Sequence, residues 1–176
     1  MRSTISTEVA AAPELVFRLA RDVERWPRLL PHYDRVRVVD RRGDGTVTAV
    51  MVARRPLVAI LGLGLPVAWR SRVSVDPTAL RLSFRHLGGA TGGMAVTWRI
   101  EPTPAGCRVS IDHDFRRPVS VPVLGIVLGE DTWPALIDRF FTRPIAGRTL
   151  ATFRALAETL SDGSESDRPI APNQGT

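Results

Sequence analysis

The side chains best suited to chemistry in this chain are few and dispersed. His113 shares the alternation of Val109 and Ile111, which turns it to the dry side of its strand between Asp112 and Asp114. A neutral imidazole there could bind a ligand oxygen or act as a base, and the plain alternative is a hydrogen-bonded core histidine. Tyr33, at the head of a strand, could donate a hydrogen bond to a ligand carbonyl or simply pack in a wall. His86 follows the same inward parity just before Gly88-Gly89, whereas His32, beside Pro31, is expected to be exposed. These histidines have no metal-ligand spacing and Asp112 and Asp114 point outward, so neither a metal nor a cofactor is expected. Cys107 is the only cysteine, which excludes an internal disulfide and a cysteine-built zinc site.

Something must hold these groups, and the alternation of apolar residues shows what. Ser3 to Val9 reads as an opening strand. Two short helices follow: Leu15, Val16, Leu19, Ala20 and Val23 share one face, and Trp26-Pro27 breaks the run. Beyond them, Tyr33 to Asp40 and Thr46 to Ala53 form a hairpin around Arg41-Arg42-Gly43-Asp44-Gly45. Val67 to Val75 with Leu80 to His86, and Met94 to Ile100 with Cys107 to Phe115, form two more. Met51, Trp69, Phe84, Met94, Trp98 and His113 fall on the dry face, while Arg70, Arg72, Arg81, Arg85, Arg99 and Arg108 fall on the wet one, either solvated or paired with carboxylates. Large flat side chains on the dry face either fill a core or line a pocket. Leu87 to Gly93 joins two strands and lacks the lysine and following helix of a phosphate loop.

The cover for the dry face is expected from Asp131 to Leu160, where Leu136, Phe140, Leu150, Phe153, Leu156, Ala157 and Leu160 recur at helical spacing. Pro134 and Pro144 imply a late start or a kink. One domain over 1–160 with a disordered, polar tail at 161–176 is the simplest division. The net charge of +6 comes entirely from arginine, spread without a cluster or a binding motif, so nucleic acid is not an expected partner.

Two segments, 56–66 and 119–128, are strongly apolar but shorter than the roughly 20 residues that cross a bilayer. Read as loops at one end of the sheet, they make a greasy mouth that admits a lipid-like ligand or rests on a membrane or partner; the alternative is that they plug the open end. The N-terminus lacks the apolar core of a secretory signal, so a cytoplasmic protein with optional membrane contact is the default.

A strand, two small helices, six antiparallel strands and a long C-terminal helix form the helix-grip pattern, an α+β fold in which a curved sheet wraps a helix over a cavity. Ala-Pro-Glu-Leu-Val-Phe at 12–17, Asp22 to Pro27 and then Tyr33 resemble the polyketide cyclase/dehydrase and lipid-transport superfamily, START-like proteins that include aromatase/cyclases and coenzyme Q-binding members. The resemblance covers about residues 3 to 158. It implies a pocket tyrosine at Tyr33 and a strand arginine facing the pocket, within a Trp-x-Ser-x-Arg pattern. Here Trp69-Arg70-Ser71-Arg72 is followed by Val73 at the expected arginine position, and Arg72 would reach the pocket only through a bulge.

Three readings follow. The first is a carrier of a small hydrophobic ligand, such as a lipid, quinone or polyketide, held by Tyr33, Met51, Trp69, Phe84, Met94, Trp98 and His113. The second is an aromatase/cyclase acting on a carrier-bound polyketide through Tyr33 and Arg72. The third is a regulatory interaction module, which a filled interior would favour.

Overall fold

The computed structural model describes residues 2–58, 63–89, 91–115 and 138–166. Seven strands form one antiparallel sheet: β1 (Arg2–Val9), β2 (Tyr33–Arg41), β3 (Val47–Val58), β4 (Leu63–Asp76), β5 (Arg81–Gly89), β6 (Met94–Thr103) and β7 (Gly106–Phe115). Their order is β1-β7-β6-β5-β4-β3-β2. The first strand therefore pairs with the last, and β1 and β2 become opposite edges. The chain crosses between those edges through α1 (Pro13–Arg21), a 3-10 turn (Val23–Arg25) and α2 (Trp26–Leu29). Pro13 and Pro27 each sit in the first turn of their helix, where a missing amide breaks no bond.

A π-helical turn (Asp138–Thr142) leads into α3 (Arg143–Ser166), which packs on β1 and α1. This is the helix-grip arrangement expected. Pro144 lies in the first turn of α3, so the expected helix over 131–160 begins late among the described residues. Its apolar stripe buries Leu150, Phe153 and Ala157. Leu160, expected on the same face, is exposed, and the helix runs on to Ser166, past the boundary drawn at 160.

Strand alternation holds through the sheet: Trp69, Ser71 and Val73 are buried while Arg70 and Ser74 are exposed. Two departures matter. A one-residue irregularity between Tyr33 and Arg35 in the pairing with β3 keeps Tyr33 on the inward side with Val36 and Val38. The described parts of 56–66 are also not loop: 56–58 and 63–66 continue β3 and β4 as paired strands, with Pro56 opposite Gly64 and Val58 opposite Leu63. Pairing of β2 with β3 stops at Ala53, so beyond it Pro56 sits where β3 has no described neighbour on that side, a position that tolerates a missing amide. Residues 59–62, the apolar segment 119–128 and the end of the expected tail lie outside the described residues.

Candidate ligand cavity

Trp26 shows how the helix-breaking Trp-Pro step serves the interior. It is 2% exposed, and its indole Nε1 donates to the carbonyl of Ala20 at 3.0 Å, tying α2 back to α1. Around its ring lie Tyr33, Phe84, Trp98 and Phe153, with centroids 5.1 to 6.1 Å away. These distances and mostly tilted or edge-on orientations suit the quadrupoles of aromatic rings. The cluster joins α2, the sheet and α3 in one aromatic floor.

Above that floor the interior is not filled. A cavity of about 80 Å³, counting only space that the centre of a water molecule can reach, lies between sheet and α3. One water needs roughly 10–15 Å³ on the same measure, so a packed interior is excluded. All seven residues expected to contact a ligand, Tyr33, Met51, Trp69, Phe84, Met94, Trp98 and His113, line this cavity. Among the residues not singled out for it are Trp26, His86 and Thr91, with Thr142, Ala146 and Thr149 from the helical side.

The cavity's polar groups are short of partners. Trp69 stacks on His86 at 5.7 Å and 27°, but its Nε1 is buried without a hydrogen-bond partner among the described residues. The Nδ1 of His113 is likewise buried and unpartnered. Tyr33 is 7% exposed, and burial pushes its phenol pKa upward, so it remains a neutral donor. His86 pairs through Nδ1 with the Thr91 hydroxyl at 2.6 Å. Gly89 permits the tight turn that carries Thr91: its φ is 87°, and a Cβ there would meet Ala68 O and lie 2.7 Å from Trp69 Cα.

Burial makes every histidine neutral near pH 7. Desolvation lowers His86 to about 3, with proximity to His113 adding to the effect and a Thr91 backbone hydrogen bond opposing it. His113 is lowered to about 4 by desolvation, opposed by the charges of Asp138 and Asp112. Asp138 was not singled out from sequence. It is buried in the turn before α3, accepting from Ser3 Oγ at 2.6 Å and from Arg143 Nε at 2.7 Å, and Ser3 is the cross-strand partner of His113.

One expectation needs correction. His32 is not exposed: it is 6% accessible, and its Nε2 lies 2.8 Å from Thr149 Oγ1. Because that hydroxyl already donates to the carbonyl of Ile145 at 2.8 Å, the imidazole must be the donor, with its proton on Nε2. Desolvation, then Arg148, lowers His32 to about 4. Arg72 lies on the outward face, as the alternation of its strand predicts. There is a bulge beside it, with Arg70 opposite Gly88 and Ser71 opposite His86, but the extra residue is Leu87 on β5. The alternation of β4 is undisturbed, so Arg72 points away from the cavity, and no arginine lines the cavity among the described residues.

Residues 9–140 match the family described as "Polyketide cyclase / dehydrase and lipid transport". A Streptomyces cyaneus protein described as "Putative polyketide cyclase" is 29% identical over 116 residues, 65% of this chain and 72% of that one. Among solved structures, a protein of Thermus thermophilus aligns with a TM-score of 0.70 at 23% identity, covering 92% of this chain and 99% of its own. The Zhui aromatase/cyclase of a Streptomyces species aligns with a TM-score of 0.70 at 21% identity, covering 90% and 93%. A START superfamily protein of Mycobacterium smegmatis gives 0.59 at 18% identity, covering 93% and 98%. At such identities these structures establish the shared fold alone. No helix among the described residues is long and apolar enough to cross a membrane.

Proposed function

The chain belongs to the polyketide cyclase/dehydrase and lipid transport family, and from that premise we propose that it binds a small, uncharged hydrophobic ligand in the cavity between sheet and α3. The observation that carries this reading is the mismatch between wall and filling. Aromatic residues surround space that no described side chain occupies, and two of them, Trp69 and His113, keep buried ring nitrogens without partners among the described residues. A ligand oxygen or a trapped water would supply those partners. A carboxylate or phosphate head would not be neutralised, since the described wall holds neutral histidines and no arginine. The ligand is therefore flat enough for the tryptophans, bears a carbonyl or hydroxyl, and carries no net charge.

A second reading, ring closure on a carrier-bound polyketide, draws on the Streptomyces cyaneus relative and on His113 and Tyr33 facing one cavity. Neutral His113 would take a proton and Tyr33 would stabilise an enolate by donating to its oxygen. Arg72 has no part in it.

Native mass spectrometry of the protein purified from its host, followed by organic extraction, tests the carrier reading. Recovery of a neutral oxygenated lipophile, with a melting temperature raised by neutral quinones or polycyclic aromatics and not by fatty-acid anions, is the expected result. No extracted molecule and no shift with either class would overturn it. Turnover of a poly-β-ketone mimic, abolished by His113→Leu, would move the assignment to the cyclase.

A further inference from the structure

The outward face of the sheet is divided by how its charges are matched. On β1, β7 and β6, Glu8 meets Arg108 at 2.6 Å, Asp112 meets Arg99 at 2.9 Å and Asp114 meets Arg2 at 3.7 Å. On β2, β4 and β5, Arg35, Arg37, Arg70, Arg72 and Arg85 have no ion-pair partner among the described residues. The carboxylates of this second half are already engaged at strand ends. Asp34 holds Arg54 at 2.8 Å, Asp40 lies 3.9 Å from Arg42, and Asp76 accepts from the turn amides of Thr78 and Ala79 at 3.0 Å.

Register gathers these arginines into a patch. Arg37 and Arg70 flank Val50 in one row, and Arg72 stands directly opposite Arg85 in the next. Like charges directly opposed across strands destabilise a sheet. Arg72 adds a second cost, because its Nε is buried with no acceptor. The other four are exposed, and between or beside them lie exposed Ala68, half-buried Val50 and Val52, and Leu87, which the bulge leaves 45% exposed. Arginine interspersed with aliphatic side chains matches the arginine enrichment of protein interfaces.

We infer that the outward face of β2, β4 and β5 docks an acidic protein surface, whose carboxylates engage the guanidinium forks left unpaired among the described residues. Nucleic acid fits less well, since strand-tracking sites use aromatic stacking and the outward positions of these strands carry none among the described residues. A bilayer would draw on the apolar arms that continue β3 and β4 rather than on Arg37, Arg72 and Arg85, so the two partners perturb different residues. The surface lies on the opposite side of the sheet from the cavity, so this inference stands or falls independently of the ligand.

The test is an NMR titration of the full chain with an oligoglutamate peptide at about 0.15 M salt, where screening already acts beyond about 8 Å. Shifts are expected at outward positions of β2, β4 and β5 and not on β1 and β7. The Arg70→Ser/Arg85→Ser variant should bind about tenfold more weakly, the factor that accompanies about 1.4 kcal/mol, while Arg99→Ser/Arg108→Ser stays within about twofold. Melting curves of both variants separate loss of binding from loss of fold. Equal weakening by the two variants, or tighter binding of phosphatidylglycerol vesicles or oligo-dT than of the peptide, would overturn the inference.

Discussion

Trp26 and Trp69 line the same cavity and are treated in opposite ways. Trp26 has its N–H bonded to Ala20 and its ring enclosed by four aromatic neighbours. Trp69 stacks on a histidine and keeps an N–H that no described residue accepts. Trp26 thus has its one buried donor satisfied from within the protein. Along the upper wall, Trp69 and His113 hold polar atoms whose desolvation is not offset, which is the arrangement of a surface awaiting a guest.

Truncating the floor should produce the largest effect. Trp26→Ala removes the ring that joins α2, the sheet and α3, and should cost about 3–5 kcal/mol, read as a lowered denaturant midpoint. Trp69→Ala should cost less, because its ring borders empty space and its deletion removes an unsatisfied donor. If the two substitutions cost the same, the division into floor and upper wall fails.

Acidification acts on the other region. In the unfolded chain each histidine protonates near 6.5, but His32 and His113 are lowered to about 4 and His86 to about 3 in the fold. Between those values the unfolded state binds more protons, so stability falls as pH drops from about 6.5 toward 4 for His32 and His113, and on toward 3 for His86. The slope is bounded by about 1.4 kcal/mol per histidine per pH unit. Urea midpoints at pH 7.5 and pH 5 check the sign, and His86→Phe/His113→Leu should flatten the difference. An unchanged slope would mean that these two imidazoles are not the groups resisting protonation.

How far the molecule was legible in its sequence follows the same division. Period-two alternation is a local property, and it placed Met51, Trp69, Phe84, Met94, Trp98 and His113 on one face without knowledge of what covers them. Tyr33 stood out at the head of a strand and the family resemblance implied a pocket position for it, and only the irregularity at Asp34 explains why its inward aim agrees with the rest of β2. What stayed hidden depends on distant contacts. His32 beside a proline reads as exposed, yet Thr149, 117 residues later, buries and orients it. Pro56 to Leu65 has no alternation to read, and two apolar arms that pair with each other look like an apolar loop. Asp138 carries no sequence signal: its burial depends on Ser3 at the other end of the chain.

The smallest expected effect tests the comparison most sharply, because its sign matters more than its size. His113→Leu replaces an imidazole with an apolar side chain of similar bulk at a site 7% exposed, and it deletes the buried Nδ1 that has no partner. Had that nitrogen contributed to folding, the substitution would destabilise. With its desolvation unrelieved, removal should be neutral or stabilising by up to about 1 kcal/mol. In a protein of this size that is a rise in melting temperature of about 2–4 °C. The same variant should lose affinity for a neutral quinone while retaining affinity for a hydrocarbon of the same shape, since only the oxygenated ligand used the imidazole. A protein that becomes more stable and a worse binder through one side chain is one whose upper wall keeps an unmet hydrogen bond for its ligand. A destabilised variant with unchanged binding would instead return His113 to the core, beside Trp26.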